Sequence, residues 1–338
     1  MLNAAIFGLG WWGRHMVRRM ADSEKLRIAR AVDTNPDAAA DFAAEHALPL
    51  SANPDDALND PSIDAVILCT PHSMHTRQVE AAAKAGKHCF CEKPLALNRA
   101  DAERSVAACR AAGVMLGIGH ERRYEPAMQE VARLVKSGAL GTIMHVESNF
   151  SHDKLAHVAP TDWRASPSDA PAAGMTAMGI HLTDAYLSLF GPVSDVHALT
   201  ARRALDFETG DVVSVTLRFE SGVTGFISAV LKTPLFLRLT VFGSDAWVDV
   251  RNHTHPDTPG PVTLTLQRSG ADAEVHTYEW TDTVRANLEA FADAAVGSGD
   301  YPFTDAEKIG NIAVLEAIAQ SAASGQPVAV TSNSREAA

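Results

Sequence analysis

The stretch AAIFGLGWWG, residues 4 to 13, decides how the rest of the chain is read. Its first half is a short apolar run, and its second half sets Gly8, Gly10 and Gly13 in the spacing GxGxxG. The continuation WWGRHMVRRMAD carries Met16, Val17 and Met20 at helical spacing, so the glycines fall between a strand and a helix. Each glycine then has a physical task. Gly8 permits a tight turn, Gly10 lets backbone approach a pyrophosphate, and Gly13 allows close helix–strand packing, while the helix N-terminus favours negative charge.

Working outward, strand and helix keep alternating. LRIARAVD is the next strand, and in the helix NPDAAADFAAEHA Asn35 can cap while Pro36 occupies a first helical position. DAVILCT, residues 64 to 70, is almost uniformly apolar, as a strand covered on both faces must be. A helix around TRQVEAAAKAG closes at Gly86, KHCFCE makes another strand, NRADAERSVAACRAAG a helix ending at Gly113, and VMLGIG a last strand. This predicts an α/β Rossmann domain with a doubly wound parallel sheet over residues 1–120.

After that the pattern changes. A helical section near PAMQEVARLVKSG leads into IMHVESNF, an irregular stretch to about residue 172, and a helix at GIHLTDAYLSLFG. From residue 193 the chain reads as strand after strand; in VVSVTLRF, Val213, Val215, Leu217 and Phe219 share one face and Ser214, Thr216 and Arg218 the other. An α+β domain with a large, mostly antiparallel open sheet is therefore expected over 121–330. Two helices, RANLEAFADAAVG and AEKIGNIAVLEAIAQSAASG, close the chain, and the C-terminal one can pack back on the first domain.

Composition narrows the partners. At 338 residues two domains are expected, and hydrophobic and charged contents of 46% and 21% are those of an ordinary globular protein. A formal net charge of -12 disfavours nucleic acid or an anionic membrane as the main ligand and favours a small molecule. No apolar run approaches bilayer length and the N-terminus lacks the basic and then apolar sections of an export signal, so a cytoplasmic protein is expected. The four cysteines, Cys69, Cys89, Cys91 and Cys109, lie on segments that read as buried, unlike a disulfide framework.

The glycine motif gains weight from Asp33, which ends the second strand twenty residues after Gly13 and can accept hydrogen bonds from an adenosine ribose. Leu9, Trp11 and Trp12 fill the motif between the glycines and are expected beside the same ligand. A carboxylate at position 33 repels a 2′-phosphate, and Thr34 and Asn35 supply no cation to offset it, so NAD is preferred to NADP. An arginine brought in from elsewhere in the fold would overturn that preference. Two further loops at the carboxyl ends of strands, TPHSMH and EKP, should face the nicotinamide half. Thr70 and Pro71 shape the first, and His72 and His75 serve either cofactor or packing.

At this point the chain resembles the family named after glucose-fructose oxidoreductase, inositol dehydrogenase and the rhizopine catabolism protein MocA (Gfo/Idh/MocA). The matching stretches run in order through GLGWWG, AVDTNP, TPHSMH, CEKPLALN, RRYEPA, GTIMHVES, DWR, GMTAMGIHLTD and VLEAIAQSAASGQPV, covering essentially the whole chain. The resemblance implies that Lys93, the EKP lysine, lies between nicotinamide and substrate. An ammonium there can bond the substrate hydroxyl and favour the alkoxide character that develops as hydride leaves carbon. Glu92 orients that loop and Pro94 fixes its exit.

The resemblance also places His181 beside the substrate as acid/base, with an Asp four residues earlier in the usual pattern; here position 177 is alanine. His181 then works without that acid, another carboxylate such as Asp184 or Asp162 orients it, or the chemistry has changed. Arg123 and Tyr124 either shape the cleft or serve packing and salt bridging, and Trp163 and Arg164 lie where an arginine could recognise a substrate carboxylate.

The expected function is NAD(P)-dependent oxidation of a carbinol carbon of a polyol, sugar or sugar acid. The alternatives are glycoside cleavage through transient oxidation of substrate by bound NAD, and a non-catalytic dinucleotide-sensing regulator. SHDKLAH and NHTH offer histidines, but neither brings a full ligand set, so no metal is expected. The second-domain sheet has few helices to cover it, which points to a homodimer or homotetramer.

Overall fold

The computed structural model describes residues 1–330. Its contacts divide those residues into two units, Met1–Glu121 with Asp282–Ile309, and Arg122–Thr281 with the chain from Gly310 onward.

The first unit starts with β1 (Leu2–Phe7), α1 (Trp11–Arg19), β2 (Leu26–Val32), α2 (Pro36–Glu45), β3 (Leu50–Ser51) and α3 (Asp55–Leu58). It continues through β4 (Ala65–Leu68), α4 (His75–Lys84), β5 (His88–Cys91), α5 (Arg99–Ala112) and β6 (Leu116–Ile118). The strands form one parallel sheet in the order β3-β2-β1-β4-β5-β6, the doubly wound order expected from the alternation. Local chemistry sets the helix ends: the Asn35 side chain accepts from the Ala38 N–H at 3.3 Å before Pro36, and Gly113 stops α5 in the left-handed conformation. β3 and α3 carry too few residues to show a period, and the sequence gives no sign of them.

The second unit holds α6 (Pro126–Lys136), β7 (Ile143–Ser151), α7 (Ile180–Phe190), β8 (Val193–Ala201), β9 (Val212–Phe219) and β10 (Thr224–Val230). β11 (Phe236–Gly243), β12 (Ala246–Asn252), β13 (Val262–Arg268) and β14 (Glu274–Tyr278) follow. With β15 (Val328–Ala329) they make a nine-stranded sheet, antiparallel except where β10 runs alongside β7. Val213, Val215, Leu217 and Phe219 on β9 are buried, as their alternation requires.

Between β14 and β15 the chain forms α8 (Thr283–Ala295) and α9 (Asp305–Ser324). α8 was expected in the second domain by its place in the sequence, and it lies in the first unit instead. The cause is its apolar face: Val284, Leu288, Phe291 and Ala292 complete the core around Ile6, Leu26 and Phe90, with Phe291 edge-on to Phe90 at 5.5 Å between centroids. The Asn287 amide and the Tyr301 hydroxyl both donate to the Ile118 carbonyl, closing the outer edge of β6.

Candidate active site

At the carboxyl end of β1 the three glycines meet different surroundings. Gly8 has φ of +94°, and a β-carbon there would lie 2.7 Å from the Cys69 carbonyl oxygen. A β-carbon on Gly13 would lie 1.9 Å from the Gly8 carbonyl oxygen, so only glycine lets α1 pack on the turn. At Gly10 a β-carbon would meet nothing within 4 Å. No protein packing demands glycine there, and the bare backbone leaves room for a ligand. Gly10 precedes α1 without a side-chain cap, and no acidic residue stands in the first turn, so the helix end presents N–H groups and positive charge to an anion.

Beside this turn lies a cleft of about 580 Å³, lined among others by Leu9, Gly10, Trp11 and Asp33. Asp33 is held by the backbone, its carboxylate accepting from the Leu9 N–H at 2.7 Å and the Asn35 N–H at 2.8 Å. These observations fit a dinucleotide, with the glycine turn for its pyrophosphate and Asp33 for its ribose.

The loop after β5 stands at the same end of the same sheet, separated from β1 only by β4. Glu92 is buried there, and a β-carbon on Gly119 would lie 2.5 Å from both its carboxylate oxygens. The Lys93 backbone N–H donates to Glu92 at 3.2 Å. Burial pushes Glu92 up to about 7, against the pull of the Lys93 ammonium, the Trp12 indole N–H and the Lys93 backbone. Thr70 bonds Gln78 through its hydroxyl at 2.5 Å, Pro71 starts the turn His72–Met74, and His72 lies edge-on to His75 at 5.7 Å.

In the second unit His181 sits in the first turn of α7, buried. That turn is entered through a π-helical stretch, Met175–Gly179, preceded by left-handed Ala172 and Ala173. It is fixed from α9, where the Asn311 amide donates to the Ile180 carbonyl at 3.2 Å and the Thr183 hydroxyl donates to Asn311 at 2.5 Å. Farther along α7, the Tyr186 hydroxyl bonds Ser148 on β7 and the Phe226 carbonyl on β10. The helix turn that carries His181 is therefore held at both ends.

Residues 2–120 match the model described as oxidoreductase family, NAD-binding Rossmann fold, and residues 128–249 match the GFO/IDH/MocA C-terminal domain. The chain belongs to the Gfo/Idh/MocA oxidoreductase family. It is 27% identical to an uncharacterized oxidoreductase, YrbE, of Bacillus subtilis, over 96% of this chain and 95% of that one. It is 30% identical to D-xylose 1-dehydrogenase (NADP(+)) 2 of Haloferax volcanii, over 80% of this chain and 82% of the relative. The crystal structure of aldose-aldose oxidoreductase from Caulobacter crescentus, complexed with glycerol, superposes with a TM-score of 0.85 at 27% identity, covering 97% of this chain and 99% of that one. The first unit is the family's NAD-binding domain.

His75 is fully buried, with Nδ1 2.7 Å from the Pro94 carbonyl and Nε2 3.0 Å from the Thr70 carbonyl, so it braces the two loops against each other. Asp184 gives both carboxylate oxygens to Arg123, at 2.8 and 2.7 Å, in a buried bidentate pair. Asp162 accepts from the Arg164 backbone N–H at 2.9 Å and from its guanidinium at 3.3 Å, while that guanidinium lies over Trp163 at 4.1 Å. Tyr124 is half-buried, and burial pushes its hydroxyl up.

The two histidine-rich stretches do meet: His152 and His255 lie edge-on at 5.0 Å, with Asp257 taking His255 at 2.7 Å and Lys154 at 2.6 Å. Among the described residues, no group of three or more His, Cys, Asp or Glu side chains is arranged to hold a metal ion. Cys89, Cys91 and Cys109 are buried thiols, and burial pushes Cys109 up to about 11. Two charged lining residues of the nucleotide cleft escaped the sequence reading, Arg14 and Arg18. Their spacing of four on one helix face was the available signal.

Proposed function

We propose that this protein is an NAD-dependent dehydrogenase that removes hydride from a carbinol carbon of a sugar, polyol or sugar acid, with Lys93 acting on the substrate hydroxyl and His181 as acid/base. One observation carries the reading: the glycine turn after β1 and the Glu92–Lys93 loop after β5 stand together beyond the carboxyl ends of one parallel sheet, where doubly wound folds bind their ligands. When bound, NAD supplies the hydride acceptor. The chain's own residues manage the proton. The Lys93 ammonium donates to the substrate oxygen and favours its alkoxide character as the carbon–hydrogen bond weakens. His181 takes the hydroxyl proton. Glu92 holds the loop through the Lys93 backbone. A sugar carbinol as substrate is supported by the D-xylose 1-dehydrogenase named above.

The test is a panel of sugars, polyols and sugar acids supplied with NAD and followed by reduced-nicotinamide absorbance. Net reduction with at least one member is expected. Sugar release from a glycoside without net nicotinamide reduction would replace the dehydrogenase with a glycosidase, and NAD binding without turnover on the whole panel would point to a sensor.

A further inference from the structure

A second imidazole stands near the one on α7. Strands β7 and β12 end on either side of the start of β11, where Phe236 pairs with Ser151 and Leu237 with Asn252. The residues that follow them, His152 and the loop 253–258, therefore leave the sheet at the same end. The Phe150 ring is their common neighbour. Its centre lies 6.3 Å from the His181 ring, 5.5 Å from His152 and 5.7 Å from His255. All four rings belong to the second unit.

A carboxylate sets the His255 ring. Nδ1 lies 2.7 Å from Asp257, whose other oxygen accepts from the Lys154 ammonium at 2.6 Å. Burial opposes the charge on Asp257, but the bonds from His255 and Lys154 outweigh it and hold the carboxyl well below the usual carboxylate range. An ionised carboxylate only accepts, so Nδ1 carries the hydrogen. The Asp257 backbone N–H also approaches Nδ1, at 3.4 Å, and the shorter contact with a charged acceptor is the stronger one. Burial lowers the imidazole below its ordinary value, against the pull of Asp257 and aided by the Lys154 and Arg122 cations, so at neutral pH the ring is uncharged. Nε2 is then a bare lone pair. Among the described residues it meets no hydrogen-bond donor, and the side chain keeps 19% of its surface open. The loop is fixed around it, the Trp280 indole N–H donating to the Pro256 carbonyl and the Thr258 N–H to the His255 carbonyl, both at 2.8 Å.

We propose that His255, set by Asp257, accepts a hydrogen bond from a substrate hydroxyl other than the one oxidised, so that this site selects a polyhydroxylated carbon chain over a deoxygenated one. The inference rests on the dehydrogenase reading of the His181 site and deepens it by naming a specificity residue. A lone pair in a locked tautomer takes a group with a hydrogen to give. A carboxylate at that place meets repulsion, and a methylene leaves the nitrogen unpaired. The competing role is packing, with the ring only filling the space beside Phe150 and His152.

The test uses the full-length protein, the panel member with the highest kcat/KM and the set of its monodeoxy analogues. With the wild type, at least one analogue is expected to lose about tenfold to a hundredfold in kcat/KM, the scale of one acceptor left unpaired. His255→Asn keeps an N–H toward Asp257 and removes Nε2, and it is expected to erase the preference for the parent over that analogue. A preference that survives in His255→Asn for every analogue would assign the ring to packing and overturn the proposal, as would a wild type that turns over every analogue as fast as the parent. Nitrogen NMR of the wild type reads the same claim without a variant. An unprotonated Nε2 on His255, shifted by substrate in the presence of NADH, is expected; a protonated Nε2, or a signal that substrate leaves unmoved, would overturn it. A wild type that reduces NAD with no member of the panel would remove the dehydrogenase reading, and this proposal with it.

Discussion

A carboxyl buried beside an ammonium, under a glycine that leaves it just enough room, ionises only at a cost, and Glu92 shows this by its rise from 4.5 to about 7. The sign of the pH effect follows. Below 4.5 the folded and unfolded chains are both protonated at this group and nothing is lost; as pH climbs through about 7 the unfolded chain has already released a proton that the folded protein still holds, so stability falls. Replacement by glutamine removes the titration. Urea unfolding of Glu92→Gln is therefore expected to gain on the wild type between pH 5 and 8, by roughly 3 kcal/mol at most. Parallel profiles for the two proteins would place the carboxyl in water. At His75, leucine would leave a buried carbonyl oxygen without its imidazole donor, and a loss of about 2 kcal/mol is expected in the same measurement. Asp33 was legible in the sequence because its offset from the glycines is a chain distance. The surroundings of Glu92 were not, since Trp12 and Gly119 come to it only through the order of strands in the sheet.

Among the elements, α7 and its approach store strain next to His181. Ala172 and Ala173 have φ of 57° and 52°, a region that costs a residue with a β-carbon about 1 kcal/mol. Ala173→Gly is expected to raise the unfolding free energy by about that amount. If the strained entry also fixes the His181 turn, turnover will fall in the same variant; unchanged stability would show that the alanine sits there without penalty. Helices and strands with a full period were readable: the alternation in VVSVTLRF became the buried face of β9, and Asn35 became the cap of α2. The π-helical turn was not readable, because its register depends on what packs around Met175 and Gly179, where a β-carbon on Gly179 would lie 2.4 Å from the Met175 sulfur.

For the whole molecule, chain order predicted two domains but not the return of α8 to the first. An amphipathic helix shows its apolar face without showing which core will receive it. A fragment ending at Glu121 lacks Val284, Leu288 and Phe291, and circular dichroism is expected to show it unfolded. Joining residues 282–309 to it through a flexible linker should restore a cooperative transition. A folded, NAD-binding 1–121 fragment would contradict the division. No described helix is long and apolar enough to cross a membrane.

What ties residue, loop and sheet together is the role given to the ammonium after β5. Lys93→Met, loaded with saturating NAD and its best substrate, puts that role to a single-turnover measurement of reduced nicotinamide. The account predicts a rate lower by about 10² to 10⁴, the range of a lost general acid–base group, with NAD affinity changed far less. A variant that forms reduced nicotinamide at the wild-type rate would contradict it.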